Sequence, residues 1–324
     1  MLEQYDLVVI GGGPAGYVGA IRAAQLGKKV ACVEMDRAGG TCLNWGCIPS
    51  KSLLRTAELY QFLNHRARDF GLEFSELSFD WSKVIGRSRK VTDQLAGGIE
   101  FLFKKNNVQY IRGQGELTKA NLVTVKLPEE KTRLLQAGST LVCSGVRPRP
   151  LPGLPFNGAT VISSKEALLL TKRPSSMIII GAGAIGVEFA YFYNAFGTQV
   201  TLLEMAPYIL PMEDREVSQN LSRSFQKQGI RVHTGTKVEG GKATTTGVQL
   251  FFDGETSGSI EAEIILVAVG VEPLVPTGLA LKRDRNFIKV DGKYQTAVAG
   301  IYAAGDVIGP PWLAHIASYE AIQV

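Results

Sequence analysis

Two cysteines separated by four residues are the side chains of this 324-residue sequence best suited to chemistry. Cys42 and Cys47 lie in the segment Gly-Gly-Thr-Cys-Leu-Asn-Trp-Gly-Cys-Ile-Pro-Ser-Lys, which ends at Lys51. In a regular helix, residues five positions apart are displaced by about 7.5 Å and rotated by about 140°, so these sulfur atoms could not bond. If they do pair, the segment must be distorted between them, and Asn44 and Gly46 favour such a distortion.

The residues that follow favour a reactive thiolate at Cys47. Pro49 suits the first turn of a helix that continues through Leu53, so Cys47 is expected near a helix N-terminus with Lys51 one turn further on. Both features stabilise a thiolate. Two inert buried thiols are the alternative, and that is what we expect of the other two cysteines, which lie in apolar strands: Cys32 and Cys143. Zinc would need more ligands, and the three histidines lack metal-ligand spacing: His65, His233 and His315.

An internal repeat surrounds this segment. Residues 6–35 align without a gap on residues 176–205, at an offset of 170 positions. Each copy has an apolar strand, Gly-x-Gly-x-x-Gly, a helix and a second apolar strand that ends in Glu-Met. The equivalent residues are Gly11, Gly13, Gly16 and Glu34 in the first copy, and Gly181, Gly183, Gly186 and Glu204 in the second.

The spacing of these glycines predicts two dinucleotide-binding units. The first glycine permits a tight turn, the second lets the backbone approach a pyrophosphate, and the third lets the helix pack on the strand. The helix N-terminus then directs its N–H groups at the phosphates, and the acidic residue accepts hydrogen bonds from ribose hydroxyls. Because a dinucleotide unit directly precedes the cysteines, redox chemistry is favoured over inert thiols.

Composition limits the other possibilities. The chain is long enough for two domains, and its 45% hydrophobic and 20% charged residues are typical of a globular protein. A net charge of +5 is too small to indicate a nucleic-acid or membrane partner. The apolar stretch 7–21 follows acidic residues, and the stretch 177–197 carries Glu188 at its middle, so neither is expected to be a signal peptide or membrane span. We expect a cytoplasmic protein.

The organisation is that of an α/β fold with two Rossmann-like domains. Helices are expected over 50–63 and 81–105, and short strands over 109–142. The Pro-rich stretch 147–155 and the segment 270–276 are the expected linkers. The first domain would comprise residues 1–148 and 272–324, with residues 149–271 inserted as the second domain.

The chain resembles the flavin-dependent pyridine-nucleotide disulfide oxidoreductases, particularly their dihydrolipoamide-oxidising branch. The resemblance rests on the cysteine segment, both dinucleotide units, the run Gly-Ala-Ile-Gly-Val-Glu-Phe-Ala ending at Ala190, Ala-Gly-Asp ending at Asp306, and Leu-Ala-His ending at His315. It implies FAD in the first domain and NAD in the inserted one. It also implies a Cys42–Cys47 disulfide that accepts electrons from a dihydrolipoyl group.

The resemblance assigns roles to individual residues. The implied catalytic residues are Cys42 as the interchange thiol, Cys47 against the flavin, and the ion pair of Lys51 with Glu188. The implied FAD contacts are Gly11, Gly13, Gly16, Glu34, Gly40, Thr41, Lys51, Gly115, Asp306, Ala314 and His315. The implied NAD contacts are Gly181, Gly183, Ile185, Gly186, Glu204, Val238 and Gly270. No metal is expected. Glu204 favours NAD over NADP, since its carboxylate would repel a 2′-phosphate and the next three residues offer no cation.

Three departures from the family pattern stand out. Cys-Ser-Gly at 143–145 replaces Ala-Thr-Gly, and Gly-Val-Glu-Pro at 270–273 replaces Gly-Arg-x-Pro. The chain also stops at Val324, before the family's C-terminal dimerisation domain and its His–Glu acid–base pair, so either it is a fragment or that function is missing. The implied partners are lipoyl-bearing E2 or H-protein domains, and the full-length protein would be a homodimer.

Rival functions stay open at this point. Glutathione reductase is disfavoured because Ser50 stands where that enzyme has a lysine, and mercuric reductase usually has an additional N-terminal metal-binding domain. A flavin- and NAD-binding module without disulfide turnover is disfavoured by the retained cysteines. A flavin monooxygenase has no use for the cysteine pair.

Overall fold

The computed structural model describes residues 2–245, 247–254 and 257–324. Within these ranges the chain has the expected mixed α/β fold, and no helix there is long and apolar enough to cross a membrane. The chain forms two compact units. The first unit comprises Met1–Cys47, Val91–Arg147 and Val271–Val324, and the second comprises Ile48–Lys90 and Pro148–Gly270. Residues 48–90 therefore cluster with the second unit, whereas the division into FAD and NAD domains stays a prediction.

The helices and strands are numbered here in chain order. The α-helices are α1 (Pro14–Gln25), α2 (Gly40–Trp45), α3 (Cys47–His65), α4 (Trp81–Lys105), α5 (Ser164–Ala167), α6 (Ala184–Ala195), α7 (Arg215–Lys227) and α8 (Ala314–Gln323). The strands are β1 (Leu2–Ile10), β2 (Val30–Glu34), β3 (Gln109–Arg112), β4 (Gln114–Lys119), β5 (Leu122–Lys126), β6 (Thr132–Val142), β7 (Val146–Pro148), β8 (Val161–Ile162), β9 (Ser176–Ile180), β10 (Gln199–Leu203), β11 (Arg231–His233), β12 (Lys237–Ala243), β13 (Val248–Asp253), β14 (Gly258–Ala262), β15 (Ile264–Val267), β16 (Val271–Pro273), β17 (Arg283–Asp284), β18 (Phe287–Ile288) and β19 (Ile301–Ala303). Short 3₁₀ helices span Ala67–Phe70 and Asp306–Ile308.

The first unit is built on a sheet with the strand order β3-β2-β1-β6-β5-β4, and β19 also pairs with β6. Strands β3, β2, β1, β6 and β19 are parallel, and β4 and β5 add an antiparallel extension. Every residue of β2 is buried, which explains its nearly unbroken apolar sequence. Cys32 in β2 and Cys143 after β6 are buried, as predicted. The parallel strands thus end together at one edge, where β1 and β2 lead into Gly11 and the residues after Glu34.

The second unit repeats this plan with the parallel sheet β11-β10-β9-β15-β8, beside an antiparallel sheet β12-β13-β14. Helix α6 follows β9 as α1 follows β1. Its core face includes the fully buried rings of Phe192 and Tyr193, which pack against Trp81 at centroid distances of 5.4 and 5.8 Å. Burying each such side chain stabilises the fold by about 1.5–3 kcal/mol. This packing fixes the helix that carries Gly186 and Glu188.

The predicted helices over 50–63 and 81–105 are confirmed as α3 and α4. Helix α3 begins three residues earlier than predicted, at Cys47, so the second cysteine belongs to its first turn. The predicted strands over 109–142 are confirmed as β3 to β6.

Candidate functional site

The first glycine-rich loop connects β1 to α1 and has the geometry of an anion site. Gly11 has a φ of +108°, and a Cβ placed there would overlap the carbonyl group of Cys143. A Cβ on Gly16 would overlap the carbonyl group of Gly11. The N-cap of α1 is Gly13, which makes no side-chain cap hydrogen bond, and the first turn contains no acidic residue. The N–H groups of this helix end are therefore available to phosphate oxygens.

Glu34 closes the same loop at the end of β2. One of its carboxylate oxygens accepts a hydrogen bond from the N–H of Gly12 at 2.6 Å, and the other accepts one from the N–H of Asp36 at 2.7 Å. Burial raises the pKa of this carboxyl group, although the two backbone donors oppose the shift. The carboxylate is thus fixed in direction at the place expected for a ribose.

The second glycine-rich loop reproduces this geometry within the second unit. Gly181 has a φ of +98°, and a Cβ on Gly186 would overlap the carbonyl group of Gly181. The carboxylate of Glu204 accepts from the N–H of Ala182 at 2.6 Å and from the N–H of Ala206 at 2.8 Å. Gly183 has no described heavy atom within 4 Å of a Cβ placed on it, so space is open where a pyrophosphate is expected. Both loops therefore offer backbone donors to a dinucleotide, and the second loop also leaves open space at Gly183.

A cleft in the first unit continues from Glu34. It is lined by Ile10, Gly11, Val33, Glu34, Met35, Gly113, Gln114, Gly115, Ser144, Leu274, Val275, Pro276 and Thr277. Of these, only Gly11, Glu34 and Gly115 were predicted from sequence as cofactor contacts. The hydroxyl of Ser144 donates to the carbonyl of Leu274, so the Ser that departs from the family's Thr keeps the hydroxyl and uses it to hold this wall of the cleft. Leu274, Val275 and Pro276 belong to the segment that the sequence predicts as the return linker.

The segment between the two cysteines is interrupted, as a disulfide would require. Helix α2 ends at Trp45, Gly46 has φ −145° and ψ −112°, and α3 starts at Cys47. The side-chain amide of Asn44 donates to the carbonyls of two preceding residues at 3.0 Å each, and the indole N–H of Trp45 donates to the carboxylate of Asp36 at 2.8 Å. Side-chain bonds from within the segment therefore stabilise the distortion.

The two thiols differ in exposure. Cys42 is half-buried in α2, and Cys47 is exposed at the start of α3, where the helix N-terminus favours a thiolate. Tyr17, in the first turns of α1, is not among the site residues predicted from the sequence. Burial raises the pKa of its phenol, and negative charge on Cys42 and Cys47 raises it further. Both sulfur atoms therefore lie near the same helix of the first glycine-rich unit.

The second unit contains the pair that the resemblance selects, Lys51 and Glu188. The ammonium of Lys51 lies 2.6 Å from one oxygen of Glu188, and the hydroxyl of Ser50 donates to the other oxygen at 2.8 Å. Ser50 is buried, and the side chain of Glu188 is 26% exposed. A carboxylate on an apolar helix thus has two partners from the first turns of α3, of which Ser50 was not predicted as a partner. The role of the pair beside a flavin stays a prediction.

Three further residues predicted to contact FAD lie in the first unit after β19. Asp306 begins a 3₁₀ helix, and burial together with the nearby charge of Glu320 raises the pKa of its carboxyl group. Ala314 and the exposed His315 form the start of α8. No feature of the sequence predicted a role for Glu320.

The remaining FAD positions lie nearer the first loop. Gly40 has a φ of +58° and a Cβ on it would meet the backbone of Gly13, whereas Thr41 is exposed. Gly115 lines the cleft next to Ile10. Their contacts with a cofactor stay predictions.

The other residues predicted to contact NAD lie in the second unit. Ile185 is exposed in the first turn of α6, Val238 lies in β12, and Gly270 follows β15 with a φ of +106°. The guanidinium of Arg149 donates to the carbonyl of Val269 at 2.7 Å and would lie 3.3 Å from a Cβ on Gly270. An arginine from another segment thus occupies the turn from which the family's own arginine is missing.

Metal chemistry has no support from side-chain clustering. Among the residues that the structure describes, no group of three or more His, Cys, Asp or Glu side chains could hold a metal ion.

This chain is similar to several known proteins over nearly its whole length. A family model described as pyridine nucleotide-disulphide oxidoreductase matches residues 5–321. The dihydrolipoyl dehydrogenase of Chlorobaculum parvum is 45% identical over 325 residues, which cover 98% of this chain and 69% of that protein. The structure of LpdA from Mycobacterium tuberculosis matches with a TM-score of 0.90 at 26% identity, over 99% of this chain and 71% of that one. The flavoprotein disulfide reductase RclA from Escherichia coli, solved as a Cu(II) complex, matches with a TM-score of 0.85 at 27% identity, over 98% of this chain and 69% of that one.

Proposed function

Because this chain belongs to the pyridine nucleotide-disulphide oxidoreductase family, we propose that it acts as a dihydrolipoyl dehydrogenase with FAD and NAD as cofactors. The observation that carries the proposal is the cysteine segment, which is broken at Gly46 and directly follows a glycine-rich loop built for a dinucleotide. Two such loops, one in each unit, match a reaction that needs two dinucleotides. The 45% identity to a dihydrolipoyl dehydrogenase supports the same substrate class.

FAD would be held by the first unit and NAD by the second. The residues proposed for FAD are the N-terminal N–H groups of α1, the carboxylate of Glu34, the cleft at Gly115 and the carboxylate of Asp306. When bound, the flavin supplies a two-electron acceptor between a dithiol and NAD⁺.

The thiol chemistry is assigned to Cys42 and Cys47. A substrate thiolate attacks Sγ of Cys42, which forms a mixed disulfide and releases Cys47 as a thiolate. The second substrate thiol, on losing its proton, displaces Cys42, so the substrate leaves as a cyclic disulfide and both cysteines are left reduced. The start of α3 stabilises the Cys47 thiolate during this exchange.

The ion pair in the second unit supplies a fixed positive charge. Glu188 holds the ammonium of Lys51, and Ser50 donates to the other oxygen of Glu188. The resemblance assigns this ammonium to the reactive nitrogen of the flavin. A lysine chain has several rotatable bonds, so a bonded partner is needed to keep its charge in one place.

The proposed partners are lipoyl-bearing domains of 2-oxo acid dehydrogenase complexes or H-proteins, since their dihydrolipoyl arms carry the required dithiol. The identity to dihydrolipoyl dehydrogenases supports this class of partner. We also propose that the protein acts as a homodimer.

The test is an anaerobic titration of the FAD-loaded protein with dihydrolipoamide, followed by absorbance, together with an assay of NAD⁺ reduction. We expect a long-wavelength thiolate-to-flavin band that is absent in Cys47→Ser, and loss of NAD⁺ reduction in both Cys42→Ser and Cys47→Ser. Flavin reduction by NADH without any exchange with dihydrolipoamide would contradict the proposal and favour a binding module. Faster turnover with glutathione disulfide and NADPH would favour a different reductase of the family.

A further inference from the structure

The carboxylate of Glu320 makes a long-range bond to the turn that precedes Asp306. It lies on α8, and one of its oxygens accepts a hydrogen bond from the N–H of Gly305 at 2.7 Å, across 15 residues. The side chain is half-buried. A hydrogen bond to a charged acceptor in such a place is stronger than one between neutral groups.

Gly305 has a backbone conformation that needs external support. Its φ of +77° and ψ of −160° belong to a region that only glycine adopts readily. A Cβ on Gly305 would lie 3.2 Å from the Cβ atoms of both Ala15 and Ala317, so α1 and α8 enclose the residue on two sides. Such conformations persist only when the surroundings fix them, and the bond from Glu320 is part of that surrounding structure.

Asp306 follows this turn directly, and it feels the charge of Glu320. Burial raises the pKa of the Asp306 carboxyl group, and the negative charge of Glu320 raises it further. The other titratable groups that face Glu320 are the thiol of Cys143 after β6 and the phenol of Tyr294 before β19, and its charge raises the pKa of each after the larger effect of burial. No described cation is among these groups, so none of them offsets the effect of the Glu320 charge on Asp306.

We propose that Glu320 is a positioning residue for FAD: it holds the Gly305 N–H so that Asp306 presents its carboxylate to the ribityl hydroxyls. The inference rests on the proposed function, which assigns Asp306 to FAD. The arrangement has two effects of opposite sign. The hydrogen bond organises the turn, whereas the charge makes Asp306 take up a proton at a higher pH than an isolated aspartate would.

The second effect predicts that FAD binding is sensitive to acid. An ionised carboxylate accepts stronger hydrogen bonds from hydroxyl groups than its protonated form does. Because the pKa of Asp306 is raised, the affinity for FAD is full above that pKa and falls as the pH decreases through it. Removal of the charge at position 320 therefore shifts the acid-induced loss of FAD affinity to lower pH.

The experiment measures FAD release from the full-chain holoprotein by the fluorescence of freed flavin, after dilution into buffers between pH 5 and 8. We expect Glu320→Ala to weaken FAD binding by about tenfold at neutral pH, because the Gly305 N–H loses its acceptor. Glu320→Gln keeps an oxygen acceptor and removes the charge, so it should bind FAD close to the parent level at neutral pH, with its acid midpoint shifted to lower pH. Glu129→Gln, an exposed carboxylate of the same unit that pairs with Lys131, is the matched control and should change neither quantity.

Three results would overturn the inference. They are parent-like FAD affinity in Glu320→Ala, an unshifted acid midpoint in Glu320→Gln, and the same shift in Glu129→Gln. Asp306→Asn separates this test from that of the proposed function. Normal FAD binding by Asp306→Asn refutes the assignment of Asp306 itself, whereas weak binding by Asp306→Asn with normal binding by Glu320→Ala refutes only the role of Glu320.

Discussion

The carboxylate of Glu204 should set the preference for NAD over NADP. Both of its oxygens accept backbone N–H groups, from Ala182 at 2.6 Å and Ala206 at 2.8 Å, so its charge cannot swing away from an approaching 2′-phosphate. Coulomb's law gives about 1–3 kcal/mol between two unit charges about 5 Å apart, for an effective dielectric constant between about 80 and 20. We therefore expect Glu204→Gln to narrow the ratio of kcat/KM for NAD⁺ over NADP⁺ by about tenfold or more.

The same geometry predicts that this substitution also harms NAD⁺. A glutamine side chain has one oxygen acceptor, so the N–H of either Ala182 or Ala206 would face an amide NH₂ group instead. The KM for NAD⁺ should therefore rise while that for NADP⁺ falls or stays constant. The measurement is steady-state kinetics with both nucleotides on the FAD-loaded protein. Glu213→Gln, an exposed carboxylate of the same unit, is the control.

Salt provides an independent check of the electrostatic argument. Raising the ionic strength from about 0.05 M to about 0.5 M shortens the Debye length from about 14 Å to about 4 Å, so repulsion between the carboxylate and a phosphate should weaken. Discrimination by the parent protein should decrease with salt, and discrimination by Glu204→Gln should change less. An unchanged nucleotide ratio in Glu204→Gln would refute the reasoning and show that the ribose is recognised elsewhere.

Three further predictions follow from the sites described above. Cys42 and Cys47 should be disulfide-bonded in the aerobically isolated protein, so alkylation and mass spectrometry should detect two fewer reactive thiols before reduction than after it; four alkylated thiols without reduction would contradict this. Ser50→Ala removes a hydrogen-bond donor from the half-buried carboxylate of Glu188 and should lower the free energy of unfolding by about 1 kcal/mol. Ser50→Thr should restore that stability. Equal stability of all three proteins in a denaturant titration would show that this hydrogen bond contributes nothing. Gly186→Ala should abolish NAD⁺ binding in calorimetry while FAD is retained, because its Cβ would overlap a backbone carbonyl; Gly97→Ala, at an open helical position, is the control, and normal NAD⁺ binding by Gly186→Ala would refute the packing argument.

Much of the site was predictable because its requirements are local. The glycine spacing, the acidic residue 23 positions later and the helix after each loop all depend on backbone geometry within about 30 residues, so the repeat was visible in the sequence. A break between Cys42 and Cys47 was predicted on the condition that they pair, since a continuous helix cannot bring their sulfur atoms together. The structure confirms that break at Gly46.

Tertiary structure alone determined the partners of these local units. Nothing in the sequence indicates that Ser50 donates a hydrogen bond to Glu188, 138 residues away, or that the N–H of Gly305 donates one to Glu320. The bond from Trp45 to Asp36 that supports the distorted cysteine segment was also not predicted. A lone polar residue on an apolar helix shows that a partner is required, because burial without one is costly, but many side chains could meet that need. Which of them does so depends on how distant elements pack, and that packing is set by the summed burial of core residues rather than by any short motif.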